Sequence, residues 1–357
     1  MLSINKKITA VRKPKPTPEA ALLFGKVFTD HMFTAEYEEG KGWYEASILP
    51  YGPIEMDPAT MVFHYAQAAF EGLKCYRAVD GRLLLFRPDK NFQRLSDSSE
   101  RLCIPRLDVD FALEALTELL KTDQDWVPNT EGTSLYIRPF VIATENSLGV
   151  HISQKYKFMI ILSPVGSYYK SGLAPVKISI EDEYVRAVRG GTGHTKAAAN
   201  YAISLKGQEK AEALGYAQVL WLDGVERKYV EEVGSMNVFF KIGGVLTTPD
   251  LTGSILPGVT RDAVMTLARS WGIPVRERRI SVEELFAAHE NGHLEEAFGT
   301  GTACVICPIG CLSWADREIT LSGGQTGELS KKLYDELTGI QYARRPDPFG
   351  WMKEVPV

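Results

Sequence analysis

The sequence predicts a mixed α/β (α+β) chain folded as two domains, and three observations carry that expectation. Its 357 residues exceed one ordinary domain and leave length for two cores. Strand-like runs alternate with helix-like runs in both halves. Between the halves lies "GSYYKSGLAPV", whose glycines and proline suit a connecting loop. The expected division is residues 1–165 as a smaller N-terminal domain, 166–176 as the loop, and 177–357 as a larger C-terminal domain.

The elements follow in chain order. "MLSINKKITAVRKPKPTPEAALLF" lacks the apolar core of a secretory signal and reads as a surface arm. "FHYAQAAFEGLKCYRAVDGRLLLFRP" holds two apolar strands about the hairpin signal Asp80–Gly81. "NFQRLSDSSERL" and "DFALEALTELLKT" read as helices. In the second, Leu113, Leu116, Leu119 and Leu120 share one face, and Asp110 is placed to cap the start. "TSLYIRPFVIAT" and "YKFMIILSPV" suit buried strands. Past the loop, "VKISIE" is a strand and "NYAISLKGQEKAEALG" a helix ending at Gly215. "AQVLWL" is a strand leading to a hairpin turn at Asp223–Gly224, and "NVFFKIGGVLTTP" turns at Gly243–Gly244. "TRDAVMTLARSWG" is a helix ending at Gly272. "SVEELFAAHENG" opens with the capping box Ser281 and Glu284, and "GELSKKLYDELTG" is a last helix stopping at Gly339.

Composition removes several function classes. With 45% hydrophobic and 24% charged residues the chain is globular, and a net charge of -5 gives no basic nucleic-acid footprint. No apolar run is long enough to span a bilayer. Five cysteines, an odd number with Cys75 and Cys103 isolated, argue against a disulfide framework and for a reducing cytoplasm.

Chemistry concentrates around "GGTGHTKAAANY". A phosphate-cradling loop needs Gly directly before its Lys and a hydroxyl directly after, whereas Thr195 precedes Lys196 and Ala197 follows it. A dinucleotide fingerprint fails as well, because counting from Gly191 its third glycine falls on Lys196. A neutral lysine amine condenses with aldehydes, and small neighbours such as Gly191, Gly193 and Ala197 to Ala199 leave it room to swing. "EEVGSMN" places Glu231 and Glu232 before a glycine turn, where a carboxylate can face a pyridine nitrogen. In "GSILPGVTRDAV", the amides of Val259 and Thr260 and the Thr260 hydroxyl sit where a helix start favours a phosphate. "FGTGTACVICP" adds Gly301 and Thr302 in a second glycine–hydroxyl turn.

With "FEGLK", "NFQRL", "LYIRP", "SLGV", "VLWLDG" and "GIQY", these words stand in the order and spacing of one family. The chain resembles the branched-chain aminotransferases, pyridoxal phosphate enzymes of fold type IV, from "FGKVFTDHM" to "LTGIQYAR". The resemblance implies transfer of the amino group of leucine, isoleucine or valine to 2-oxoglutarate, with ping-pong kinetics and pyridoxal 5'-phosphate as cofactor. It implies that Lys196 is the Schiff-base lysine and proton shuttle and that Glu232 pairs with the pyridine nitrogen. Glu231 is the weaker choice, because strand alternation turns it away. Tyr201 would meet the phenolic oxygen, and Arg94, Val259, Thr260 and Thr302 the phosphate, with Leu256 and Ser235 completing the cofactor set. The substrate side would use Phe28, Tyr65, Phe70, Tyr136, Arg138, Tyr168 and the Ala303 amide. Val150 would reach across from a second subunit, which implies a homodimer with a shared site.

Aromatic and aliphatic walls suit a branched side chain, and Arg138 with Tyr136 suits the distal carboxylate of glutamate. The sequence departs from the family pattern in having Ser235 where Thr is common, which keeps the hydroxyl. It is also one residue longer than animal members before "EVGSMN". D-amino-acid aminotransferase and aminodeoxychorismate lyase share the fold type and would keep Lys196 and Glu232 with other walls. A non-catalytic pyridoxal phosphate carrier would need no substrate pocket. Cys304 and Cys307 form a C-x-x-C that acts as a redox pair in some animal members, and a thiol-redox protein would depend on Cys304 rather than Lys196. A zinc site lacks its fourth ligand, so no metal is expected.

Overall fold

The computed structural model describes residues 2–166 and 173–357. The chain forms two compact units. One comprises Met1–Tyr168, Lys196–Ala199 and Gly339–Val357, the other Tyr169–Thr195 and Asn200–Thr338.

The first unit is built on a sheet in which His31–Glu38, Lys155–Val165, Ser134–Ala143, Leu73–Arg77 and Leu83–Phe86 lie side by side. Burial alternates along Ser134–Ala143, so Leu135, Ile137, Val141 and Ala143 enter the core from one face. Leu95 of helix Pro88–Arg101 and Leu116, Leu119 and Leu120 of helix Val109–Thr122 join the same core. Each such leucine contributes roughly 1.5–3 kcal/mol by leaving water. Asp108, not Asp110, caps the second helix: its side chain accepts from the Phe111 amide at 2.9 Å, while Asp110 lies inside the first turn. The C-terminal segment belongs to this unit, although the sequence groups it with residues 177–357. Met352–Val355 pairs antiparallel with Leu83–Phe86, so the chain end covers an edge that would otherwise be open.

In the second unit the path runs from Val230–Val233 through Gln218–Leu222, Val176–Glu181, Val305–Trp314 and Leu294–Gly301 to Met236–Ile242. Val230–Val233 also pairs with Met236–Ile242, which closes these strands into a ring. The Gly243–Gly244 hairpin forms as expected, both residues at positive φ (55° and 76°) between the partners Ile242 and Val245. Three local expectations change. The helix ending at Gly215 is two pieces, Ala198–Ala202 and Leu205–Ala213, with the Ser204 hydroxyl donating to the Tyr201 carbonyl at the break. The turn at Asp223 is a longer loop, because that carboxylate accepts from the amides of Val225, Glu226, Lys228 and Tyr229. Helix Glu328–Gln341 runs through Gly339, where a Cβ would meet Arg345 Cδ at 2.6 Å. At Ser281 half of the capping box forms. Its hydroxyl accepts from the Glu284 amide, while the Glu284 carboxylate pairs with Arg278.

Among the described residues no helix is long and apolar enough to cross a membrane, and no cluster of His, Cys, Asp or Glu is arranged for a metal ion.

Candidate active site

In the first unit, backbone bonds fix the lysine. The Lys196 amide donates to Ser98 Oγ at 3.0 Å, and its carbonyl accepts from the Phe70 amide at 3.0 Å. Its Nζ lies 4.7 Å from the Phe70 ring centroid, and the Arg138 guanidinium lies 4.8 Å from the same ring. Glu71, next along, is fully buried and binds Arg94 through both oxygens, Nε at 2.6 Å and Nη2 at 3.0 Å. Asn91 Nδ2 donates to the same carboxylate at 2.8 Å, and Arg138 Nε donates to the Glu71 carbonyl at 2.9 Å. Burial by itself would push the Glu71 carboxyl up. The Arg94 charge and hydrogen bonds, with Lys196 and Asn91, hold it below the usual range.

Tyr136 joins this group through its hydroxyl, which accepts from Arg138 Nη2 at 3.2 Å, and its ring packs edge-on against Phe24. A Cβ on Gly72 would fall 2.0 Å from the Tyr136 hydroxyl oxygen, so the glycine of "FEGLK" leaves space for that ring. Gly72→Ala should therefore displace Tyr136 and Arg138. The expected result is a loss of about 1–3 kcal/mol from overpacking, read as a fall in melting temperature against wild type.

Phe28 stacks on Tyr51 at 4.9 Å between centroids, and the Tyr65 hydroxyl donates to the Leu148 carbonyl at 2.6 Å. Val150 is 85% exposed. Tyr168 lies outside the described residues.

In the second unit, register places Glu232 beside Asn237, and Asn237 beside Thr300, across neighbouring strands. A cavity of about 20 Å³ is bordered by Tyr201, Glu232, Ser235, Leu256 and Arg186. That volume holds about one water, so it marks where these side chains converge. Glu232 Oε1 accepts from the Leu256 amide at 2.7 Å, and its Oε2 lies 3.4 Å from Arg186 Nε. Asn237 Nδ2 donates to the Leu256 carbonyl at 2.8 Å, tying the same loop to the sheet. Val259 and Thr260 are the first residues of helix Val259–Ser270, where the amides point out of the helix end. Thr302, Ala303 and Cys304 form the turn between Leu294–Gly301 and Val305–Trp314. All five cysteines are thiols; Cys304 and Cys307 are buried, and Cys304 Sγ lies 3.2 Å from Met236 Sδ.

Sequence reasoning did not single out Glu71, Asn91, Ser98, Arg186 or Ser254, which hold the residues it did name. Only the glutamate inside "FEGLK" carried a signal, as a charge in an otherwise apolar strand run.

Comparison with known proteins places this arrangement. Residues 68–310 match the family described as Amino-transferase class IV. The chain is 58% identical over 353 residues to branched-chain-amino-acid aminotransferase 2 of Bacillus subtilis (strain 168), covering 99% of this chain and 97% of that protein. Branched-chain-amino-acid transaminase 1 of the same organism is also 58% identical, with 99% of both chains covered. The crystal structure of the Escherichia coli branched-chain amino acid aminotransferase superposes with a TM-score of 0.76 at 27% identity, covering 92% of this chain and 99% of that one. The chain belongs to the class IV aminotransferase family, in its branched-chain-amino-acid aminotransferase branch.

Proposed function

We propose that the protein transfers the amino group of leucine, isoleucine or valine to 2-oxoglutarate, giving branched 2-oxo acids and glutamate, with pyridoxal 5'-phosphate held at Lys196. The observation that carries this reading is the 58% identity, over 99% of the chain, to branched-chain enzymes. Within each unit the residues keep chemistry suited to it: Lys196, Phe70 and Arg138 together in the first, Glu232 and the Leu256 segment in the second. The donor chemistry fits a phosphorylated pyridine aldehyde. Lys196 offers an amine for the aldehyde carbon, and Glu232 a buried carboxylate for the ring nitrogen. Tyr201 offers a phenol for the ring oxygen. For the phosphate there are a helix start at Val259 and Thr260, the Thr302 turn, and Arg94 fixed by Glu71. When bound, this group supplies an electron sink for the charge left as the α-proton departs.

The chain's own residues do the rest. With that group bound, Lys196 Nζ would take the α-proton of the amino acid and carry it through a short swing, for which its small neighbours leave room. Phe70 lies against that amine, and the Arg138 guanidinium contacts the same ring. Arg138, steadied by the Glu71 carbonyl and the Tyr136 hydroxyl, supplies the charge for glutamate's distal carboxylate. Aliphatic substrates instead meet the aromatic walls of Phe28, Phe70 and Tyr136. The homodimer reading has support in Phe63, Leu148, Val150 and Ile152, apolar residues 60% or more exposed on the single chain.

The test is a half-reaction. With L-leucine and no keto acid, the purified protein should release one 2-oxo acid per cofactor and then stop. Adding 2-oxoglutarate should restart turnover, with parallel double-reciprocal plots. A response to D-alanine but not L-leucine would move the assignment to the D-amino-acid enzyme of the same fold type.

A further inference from the structure

Two glutamates stand side by side at Glu231 and Glu232, and both reach the 254–256 segment. Ser254 Oγ donates to Glu231 Oε1 in a short hydrogen bond, while the Leu256 amide donates to Glu232 Oε1 at 2.7 Å. Arg186 spans the two attachments, with Nη2 donating to the Ser254 carbonyl and Nε 3.4 Å from Glu232 Oε2. Ser254 is fully buried, and Thr252 Oγ1 lies 3.2 Å from its hydroxyl. A Cβ on Gly193 would fall 2.3 Å from the Ser254 carbonyl oxygen, so the segment is packed from that side too.

We propose that Glu231 is a positioning residue for Glu232: through Ser254 it pins the segment whose Leu256 amide and Arg186 contact hold the Glu232 carboxylate. The inference rests on the reading of Glu232 as the partner of the cofactor's nitrogen. Loss of the Ser254 contact would loosen both restraints on Glu232 at once.

The surroundings of Glu231 fix its form. Its Oε2 is buried with no hydrogen-bond partner among the described residues, a costly place for a carboxylate and a tolerable one for a carboxylic acid. Burial pushes this carboxyl up to about 7, against the hydrogen bond from Ser254 and the charge of Arg186, and with Glu232 and Asp223 adding to the rise. Glu231 borders a cavity of about 150 Å³ through which protons can exchange. The charged groups around that cavity are Arg189, Asp223, Glu226, Asp250 and Arg279. While Glu231 stays neutral, Arg186 serves Glu232 as its counter-ion without competition.

The sign of the pH effect follows. Between the unfolded value near 4.5 and the folded value near 7, the folded chain holds a proton that the unfolded chain has released. The stability that Glu231 contributes therefore falls as pH rises through this window and stays low above it. Glu231→Gln keeps an acceptor for Ser254 and cannot ionise.

The experiment compares full-length wild type, Glu231→Gln and Glu231→Ala. Pyridoxal 5'-phosphate affinity and the visible absorption band are read at pH 6, and melting without added cofactor at pH 5 and pH 8. Glu231→Ala should bind the cofactor about tenfold more weakly and shift its band, while Glu231→Gln restores both to within about twofold. The melting temperature of Glu231→Gln should match wild type at pH 5 and exceed it by a few degrees at pH 8. An alanine variant with wild-type affinity and band, or a glutamine variant as impaired as alanine, overturns the positioning role. An equal melting difference at both pH values overturns the neutral form. The melting arm needs no cofactor, so it still tests Glu231 if wild type fails to bind pyridoxal phosphate and the reading of Glu232 falls.

Discussion

Lys196→Ala is expected to transaminate leucine at least about 10⁴-fold more slowly than wild type while keeping its fold, because in the proposed function one side chain supplies both the attachment and the proton transfer. The fold survives because the contacts that fix this position are backbone ones, the amide to Ser98 and the carbonyl from Phe70, and alanine makes both. Ala197, next in line, is buried and already makes an isolated antiparallel bridge to Ala69, so a further alanine introduces no local conflict. Single-turnover release of keto acid, with circular dichroism and melting as controls, reads the two halves of this expectation separately. Retention of more than about a hundredth of the rate would transfer the proton step to another group.

Glu71→Gln is the second large effect, and it acts first on stability. The carboxylate is fully buried and Arg94 is 11% exposed, so glutamine takes away the buried negative charge that Arg94 meets through two hydrogen bonds. Breaking such a pair costs about 3–5 kcal/mol, on the order of a 10 °C fall in melting temperature for a unit of this size. Cofactor affinity should fall with it, since the Glu71 carboxylate aims Arg94, the residue proposed to meet the phosphate. The pair also has a defined acid limit. The Glu71 carboxyl is held below its ordinary 4.5, so its contribution is intact above that pH and is lost as pH falls through the lower folded value. Melting curves from pH 7 down to pH 3 check this. A glutamine variant that melts with wild type throughout would show that the ion pair does not carry this part of the unit.

Much of the fold was legible because local chemistry and long-range structure agree. Gly243–Gly244 demands a turn wherever it occurs, and the β-rich run "TSLYIRPFVIAT" suits the buried strand Ser134–Ala143 that forms there. At the lysine segment Thr195 and Ala197 exclude the phosphate-loop motif, and the expected role of Lys196 came from the resemblance of the whole series of words to one family. What stayed hidden depends on partners distant in the chain. Glu71 meets Arg94 only when a strand and a helix pack, and Met352–Val355 finds its place only on the edge of Leu83–Phe86. Asp110 was the better cap by position in the periodic run, yet Asp108 precedes the first helical residue and takes the Phe111 amide. Gly339 looked like a stop but is a point of close packing against Arg345. In the second unit, strand alternation separated Glu232 from Glu231 in direction. It gave no hint that both return to the 254–256 segment.

The most direct test of the central claim is to reduce the purified, cofactor-saturated protein with borohydride and map the modified peptide by mass spectrometry. A single pyridoxyl group is expected on Lys196, blocked when L-leucine is added before the reductant. Labelling at another lysine, or at none, would contradict it.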